Sequence, residues 1–489
     1  MYEDTQASYE APVKKRKNKK KLLWLILPGV LVIALLIAVV LPVIRSTYQY
    51  TSAVMLYESE QYVQAAEKFA QLPDQEQMVK QCYYWQGEKE FTDGNFEAAV
   101  KFFTLAADYE NAWEWLELAT YELGHAYFLA GEYDQAQECF DRLDGKLPDG
   151  GVPHFAQFAD AVEYLQQEAA GLGEEIGCVV GEMPQAYVED ADLLWDVMSN
   201  YLPFQLAVVE YGPEDQYLYV DATYYPGVKI VYAWQSGDMS VLTQEEKEVM
   251  ELALSLVEQA QAESETEFEV QLWLYDWLCE HIRYENPDMD VPEEEYVQLR
   301  ELTCVGALMD GVANCQGYTD AFYLLGNMAG FDVCRIGGVS EEPHCWNGIM
   351  LDGALYIVDV TFGDVADMDE QAKIYPWLNC GYDPQWYSID GGVELFPELV
   401  TEDDLSKSFY AYEDSICATV NEAALYLLRQ YKENGEGWYY AVVPDSQLTS
   451  EELFEAIDDN LSRANVWSVS WTEIIENYDG NTYISIRWE

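Results

Sequence analysis

The chain has 489 residues, with 25 Lys and Arg against 89 Asp and Glu, a formal net charge of −64. Half of it is hydrophobic and 14% is aromatic, which a disordered acidic tail would not be. Too little base is present for a nucleic-acid surface, and ten cysteines fall far short of a disulfide scaffold.

The charge is divided along the chain. Residues 1–45 hold eight basic and three acidic residues, and residues 46–489 hold 17 and 86, a net of −69. Seven of the eight bases lie between Lys14 and Lys21, so residues 1–21 read as a basic cytoplasmic tail. Leu22–Ile44 is a run of 23 uncharged, almost wholly apolar residues. At about 1.5 Å per residue, a helix of that length crosses the ~30 Å hydrocarbon core. Pro28, Gly29 and Pro42 are expected near its ends. The rival is a cleaved signal peptide, with an apolar core of about 7–15 residues and a small-residue cleavage site. The run ends Pro42-Val43-Ile44-Arg45 instead. The expectation is a single-pass cell-membrane protein with its N-terminus cytoplasmic and its acidic body extracytoplasmic.

Residues 46–146 repeat a helical pattern. Tyr62/Ala65/Phe69, Phe96/Ala99/Phe103 and Tyr133/Ala136/Phe140 each place aromatic, small and aromatic residues on one helix face, and Gly94 and Gly131 precede the second and third sets. A period near 34 residues with this signature resembles tetratricopeptide repeats. Such an array is either a concave surface for a protein partner or a stalk. Leu147–Pro153 reads as a break.

Residues 154–260 read as a mixed α/β region. It has a helix near Leu193–Tyr201, strands at Gln205–Tyr211 and Gln216–Tyr224, and a Thr243/Glu246 capping box opening a helix to Ala260. A helix over Glu267–Tyr284 follows, with Trp273, Leu274, Trp277, Leu278 and Ile282 as a core stripe. Asn286, Asp288 and Asp290 fall short of a calcium loop, because Val291 stands where that loop needs Gly.

The chemistry concentrates in residues 261–390. Cys315, at the start of a helix running to about Gly330, sits where unpaired N–H groups and the macrodipole favour a thiolate. Gly317 is read as giving close access to that thiol. Asp352-Gly353 between two apolar runs marks a two-residue hairpin. In that register Leu351 pairs with Ala354, Trp346 faces Asp359, and His344 faces Thr361. Asp359 then lies diagonal to His344 on one face, within side-chain reach. Cys315 as nucleophile, His344 as proton carrier and Asp359 as orienter form an acyl-transfer set, with the Cys315 N–H as an oxyanion donor.

Here the chain resembles the transglutaminase-like superfamily, through Cys315-Gln316-Gly317-Tyr318 with Ala321-Phe322, His344 followed by Trp346-Asn347, and Val358-Asp359-Val360-Thr361. The upstream Tyr275–Tyr284 segment also looks like the helix preceding this core in bacterial members. The resemblance implies a papain-like α/β core with Cys315, His344 and Asp359 as its catalytic triad. It leaves open cross-linking, peptidase, deamidase or inactive-scaffold roles. Cys345 replaces the small residue common after the family His, and strand alternation points it away from the site. His125, His154 and His281 read as structural or exposed. Cys304, Cys334, Cys345 and Cys380 have no usual zinc spacing. Residues 415–489 read as a small α/β domain, with helices at Asn421–Lys432 and Ser450–Ser462 and strands at Trp438–Val443, Val466–Thr472 and Thr482–Trp488.

The expected architecture is therefore α+β: a membrane helix, a helical repeat region, a papain-like transglutaminase core and a small α/β domain. The leading expectation is an extracytoplasmic cysteine enzyme acting on a peptide or protein substrate, at peptide or glutamine-type amides. Hydrolysis is favoured over cross-linking, because water is always present and no amine-binding feature is visible. No cofactor, metal or nucleic acid is implied. The competing expectation is an inactive surface or assembly scaffold that binds a partner through its repeats.

Overall fold

A computed structural model describes residues 19–488 apart from 144–146, 149–150, 289–290, 341, 365–373, 401–403, 465–470 and 479. Most of the basic tail, Asp149 and Gly150 of the expected break, Asp290, and Asp479 lie outside the described residues. The chain divides into two compact units, Met1–Gly151 and Val152–Glu489.

The first unit is helical. Its opening helix runs from Lys19 to Glu58, and Val30–Glu58 is long and apolar enough to cross a membrane. The helix continues well past Ile44, so Pro28 and Pro42 are interior to it rather than near its ends. It continues because its last turns are packed: Ala53 is buried with Ala65 and Phe69 of the next helix. Five helices follow, Tyr62–Phe69, Glu76–Thr92, Phe96–Ala106, Ala112–Leu129 and Tyr133–Arg142. Gly94 and Gly131 have φ of +76° and +75° and make the turns before two of them. Ala65, Ala99 and Ala136 are buried, as the small member of each set should be. Gly87 and Gly124, which sequence reasoning passed over, make room for the aromatics. A Cβ would stand 2.8 Å from the Phe103 ring at the first and 2.6 Å from the Phe140 ring at the second.

The second unit begins with a four-stranded sheet in the order His154–Gln157, Glu175–Glu182, Tyr217–Tyr224, Phe204–Gly212. Helices Phe158–Ala170 and Ala191–Tyr201 share its core through Leu165, Val197 and Val220. Helices Gln244–Glu263 and Glu267–His281 both open with capping boxes, Thr243/Glu246 and Thr266/Glu269. The second stops short of the expected Tyr284, because Arg283–Tyr284 pairs in parallel with Val312–Ala313.

The centre is a five-stranded antiparallel sheet ordered Leu378–Cys380, Ala354–Val358, Pro343–Leu351, Asp332–Val339, Ser388–Ile389. Helix Cys315–Ala329 packs into the same core through Tyr318, Phe322 and Leu325, against Ile336, Ile349 and Ile357. The hairpin register is the expected one, with Leu351 opposite Ala354 and Asn347 opposite Val358. Asp352 and Gly353 have φ of +53° and +85°, the left-handed pair that a two-residue loop of this twist requires. The last strand pairing ends at Val358, so Thr361 does not face His344 across a ladder. Asp359 instead caps the short helix Val360–Gly363, its Oδ1 accepting from the Phe362 N–H at 3.0 Å.

The C-terminal part is a sheet ordered Gly437–Val443, Asn481–Trp488, Trp471–Tyr478, with helices Val420–Asn434 and Ser450–Ala464 packed on it through Leu427, Ile457 and Ile484. The expected strand Val466–Thr472 lies mostly outside the described residues, and the observed strand begins at Trp471. Tyr478 and Tyr483 turn the other way and join the central core.

Gly317 is small for packing, not for access to the thiol. A Cβ there would lie 2.4 Å from the Glu301 carbonyl and 2.8 Å from the Ala313 side chain. Backbone cannot yield as a flexible side chain can. Gly317→Ala is expected to destabilise the chain by about 1–3 kcal/mol, read as a lower urea midpoint at unchanged slope.

Candidate active site

The site is built on the start of helix Cys315–Ala329. Asn314 caps it, its buried Oδ1 accepting from the Gln316 N–H at 3.0 Å and the Gly317 N–H at 3.4 Å. The cap leaves the Cys315 N–H to other use. A turn at Arg300–Leu302 locks the cap in place, since Asn314 N–H donates to the Glu301 carbonyl at 2.9 Å. Cys315 is thus the first helical residue, with only 8% of its surface exposed.

The structure brings together all three residues singled out in the sequence. The His344 imidazole lies close enough to Cys315 for each to shift the other's titration. His344 Nε2 lies 2.7 Å from Asp359 Oδ2, which leaves Nδ1 for the sulfur. Phe362 stacks on the imidazole with ring centroids 4.5 Å apart, fixing its plane. Asp359 is 1% exposed and its carboxylate is satisfied by three donors: His344, the Phe362 N–H and the Tyr387 hydroxyl at 2.9 Å. Tyr387 was not foreseen from the sequence. It lies 28 residues beyond Asp359, and nothing in the local pattern aims it there.

Cys345 corrects another expectation. Its side chain lies beside Cys315 rather than pointing away from it. Alternation itself holds: His344 lies with Trp346 and Phe362, while Cys345 turns toward the helix. The strand end crosses the helix start, so successive side chains both reach the sulfur. Thr319 ties the two elements, its hydroxyl within 2.8 Å of the Cys315 carbonyl, 3.1 Å of the Cys345 carbonyl and 3.5 Å of the Cys345 sulfur.

These contacts set the charges. The Cys315 thiol is lowered to about 5, first by the hydrogen bond from Cys345, against the cost of burial, and then by the hydrogen bond and charge of His344. Burial disfavours a charged His344, but the Asp359 carboxylate outweighs it and raises the imidazole to about 10. Between those values the pair rests as thiolate and imidazolium. Cys345 itself is pushed well up, first by hydrogen bonding toward Cys315, then by burial and the Cys315 charge, so it stays protonated.

Behind Cys345 lies a buried ionic cluster. Asp320, 0% exposed, accepts from the Cys304 and Gly227 N–H groups at 2.8 and 3.2 Å, and faces Arg335 at 3.7 Å. Arg335 stacks 3.7 Å over the Tyr225 ring, and the Tyr225 hydroxyl donates to Gln316 Oε1 at 2.9 Å. Gln316 also donates to the Tyr296 hydroxyl at 3.1 Å. This network braces the first turn of the helix from the side away from His344.

The other histidines have their own local settings. His281 Nδ1 bonds the Trp277 carbonyl at 2.8 Å and His154 Nδ1 the Val152 carbonyl at 3.0 Å, while His125 lies in helix Ala112–Leu129. All ten cysteines are free thiols, and no group of three or more His, Cys, Asp or Glu suited to a metal occurs among the described residues. An open cavity of about 820 Å³ lies at the other end of the helix, against Gly330, Asp352 and Lys407, away from Cys315.

A buried thiol beside an imidazole, with a carboxylate behind the imidazole, has the groups that a thiolate nucleophile and its proton carrier would need. No family model matches the chain. Kyphoscoliosis peptidase from Mus musculus is 29% identical over 105 residues, covering 19% of this chain and 15% of its own length, and the Homo sapiens protein matches to the same extent. The chain therefore spans only a small part of these relatives. A solved structure described as a crystal structure of a TGase overlaps 43% of this chain and 59% of its own, at 15% identity and a TM-score of 0.21.

Alkylation of Cys315 by iodoacetamide should hold nearly constant from about pH 6 to 9 and fall as the pH drops through about 5, where the thiolate takes up a proton. Cys345→Ala removes the largest stabilising contact on that thiolate. The half-point should then move up by roughly a unit or more, about tenfold per unit in thiolate population below it. A pH–rate series on both proteins measures this, and a Cys345→Ala profile superimposed on the parent's would refute the role of the second thiol.

Proposed function

We propose that this chain is a membrane-anchored cysteine enzyme of transglutaminase-like type, with its body outside the cytoplasm, which cleaves or transfers peptide or glutamine-type amides through a thioester. The observation that carries the reading is the contact of His344 with both Cys315 and Asp359, since a retained but inactive fold has no need to keep it. The likeness to a protein named as a peptidase adds support.

The chemistry follows from the geometry. The Cys315 thiolate attacks the amide carbonyl, and the oxygen that gains charge lies near the helix start, where the Cys315 N–H is the natural donor. The His344 imidazolium gives its proton to the nitrogen, the C–N bond breaks, and an amine leaves a thioester on Cys315. Neutral His344 then takes a proton from water or a second amine as that nucleophile attacks, and the thiolate is released with acid or new amide. Asp359 holds the ring through both halves.

The anchor reading rests on the apolar helix and the basic residues before it, and the helical array is read as a repeat surface for a partner. The test is direct. The full chain in detergent is offered casein and a fluorescent primary amine, with release of peptide ends and incorporation of the amine both followed. Cys315→Ala is expected to lower either activity by at least about 10³-fold. Equal turnover by this variant would refute the assignment.

A further inference from the structure

The C-terminal domain carries no chemistry of its own, yet one of its residues stands behind the site. Asp383 starts a turn in which its carboxylate accepts from the Gln385 N–H at 2.8 Å and its carbonyl from the Trp386 and Tyr387 N–H groups at 3.1 and 3.0 Å. That turn aims Tyr387 inward, where it is 1% exposed. Its hydroxyl donates to Asp359 Oδ2, the same oxygen that faces His344. Burial, with the Asp359 charge second, pushes the phenol well above its ordinary value, so it remains a donor.

The Tyr387 ring is clamped. Trp346 lies against it with centroids 4.4 Å apart, and Phe362, which also stacks on His344, is at 6.1 Å. Trp377 at 6.3 Å and Tyr478 at 6.4 Å stand against it as well. Tyr478 belongs to the C-terminal strand Trp471–Tyr478. Its ring packs on Trp377 at 4.3 Å and Trp386 at 5.9 Å, and its hydroxyl donates to the Gly381 carbonyl at 2.7 Å. Tyr478 thereby pins both ends of the segment that delivers Tyr387.

We infer that Tyr387 is a positioning residue for the reaction proposed above, holding the Asp359 carboxylate in line with His344, and that the C-terminal domain supports the site by holding Tyr387 through Tyr478. A carboxylate that loses one of three donors can turn, and the imidazole it orients then loosens. A loosened imidazolium also stabilises the Cys315 thiolate less, so that thiolate takes up its proton at a higher pH.

Full-length protein with ¹⁵N-labelled histidine tests this, and four histidines in the chain make the His344 ring N–H assignable. In Tyr387→Phe, exchange of that proton with water should quicken at least tenfold, and the acid limb of Cys315 alkylation should move to higher pH. Tyr478→Leu should do the same to a smaller degree, and Tyr478→Phe, which keeps the ring but loses the Gly381 hydrogen bond, should fall between Tyr478→Leu and the parent. Unchanged exchange with a superimposed alkylation profile in Tyr387→Phe overturns the positioning role. Tyr478→Leu with parental exchange overturns the domain's part in it. If Cys315 proves no more reactive than the other thiols while exchange still responds to Tyr387→Phe, the acyl-transfer reading fails and the positioning role stands.

Discussion

The site depends on one buried carboxylate. Asp359 sits at a strand end, almost fully removed from water, and a charge there is tolerated only when each oxygen has partners. The Phe362 N–H binds one oxygen, and His344 and Tyr387 share the other. These donors come from a short helix, a neighbouring strand and a distant turn. Satisfying the carboxylate therefore fixes three separate segments against one another. His344 is oriented as a by-product of that constraint.

Cys315 is governed by the opposite end of the same logic. The sheet presents an imidazolium to it, and the helix cap leaves its own N–H outside the Asn314 hydrogen bonds. Cys345 adds a weak donor where family resemblance implies only a small residue. The thiolate is thus held by hydrogen bonds and charge together, in a place where burial alone would have raised its pKa. Arg335 and Asp320 brace the back of this helix turn, and the Gln316 side chain joins them to two tyrosines. The first turn of the helix is thereby tied to several neighbouring segments at once.

Much of this was legible in residue order. Asp352-Gly353 set the hairpin register correctly, because a two-residue loop admits few backbone shapes and both positions need positive φ. The capping box at Thr243, and the Gly94 and Gly131 turns, are local devices whose partners lie within a few residues. His344 and Asp359 could be placed together because strand alternation carries a turn's geometry several residues along. Alternation held but the expectation for Cys345 failed: its side chain turns away from the His344 face, and where the strand end meets the helix start that direction leads to Cys315. Pro28 and Pro42 were read as helix ends, but packing of Ala53 and its neighbours carries the helix through to Glu58.

The sequence by itself determined which groups could do chemistry, and the spacing that puts His344 and Asp359 on one face. It determined these because turns, caps and period-two strands are short-range rules. Only the tertiary structure decided how the carboxylate is held and how the thiolate is supported. Tyr387 and the Tyr478 that holds it come from segments with no local signal, and Cys345, though next to His344, meets Cys315 only because the strand end packs on the helix start. Such contacts are properties of three-dimensional neighbours, and no residue pattern along the chain encodes them separately.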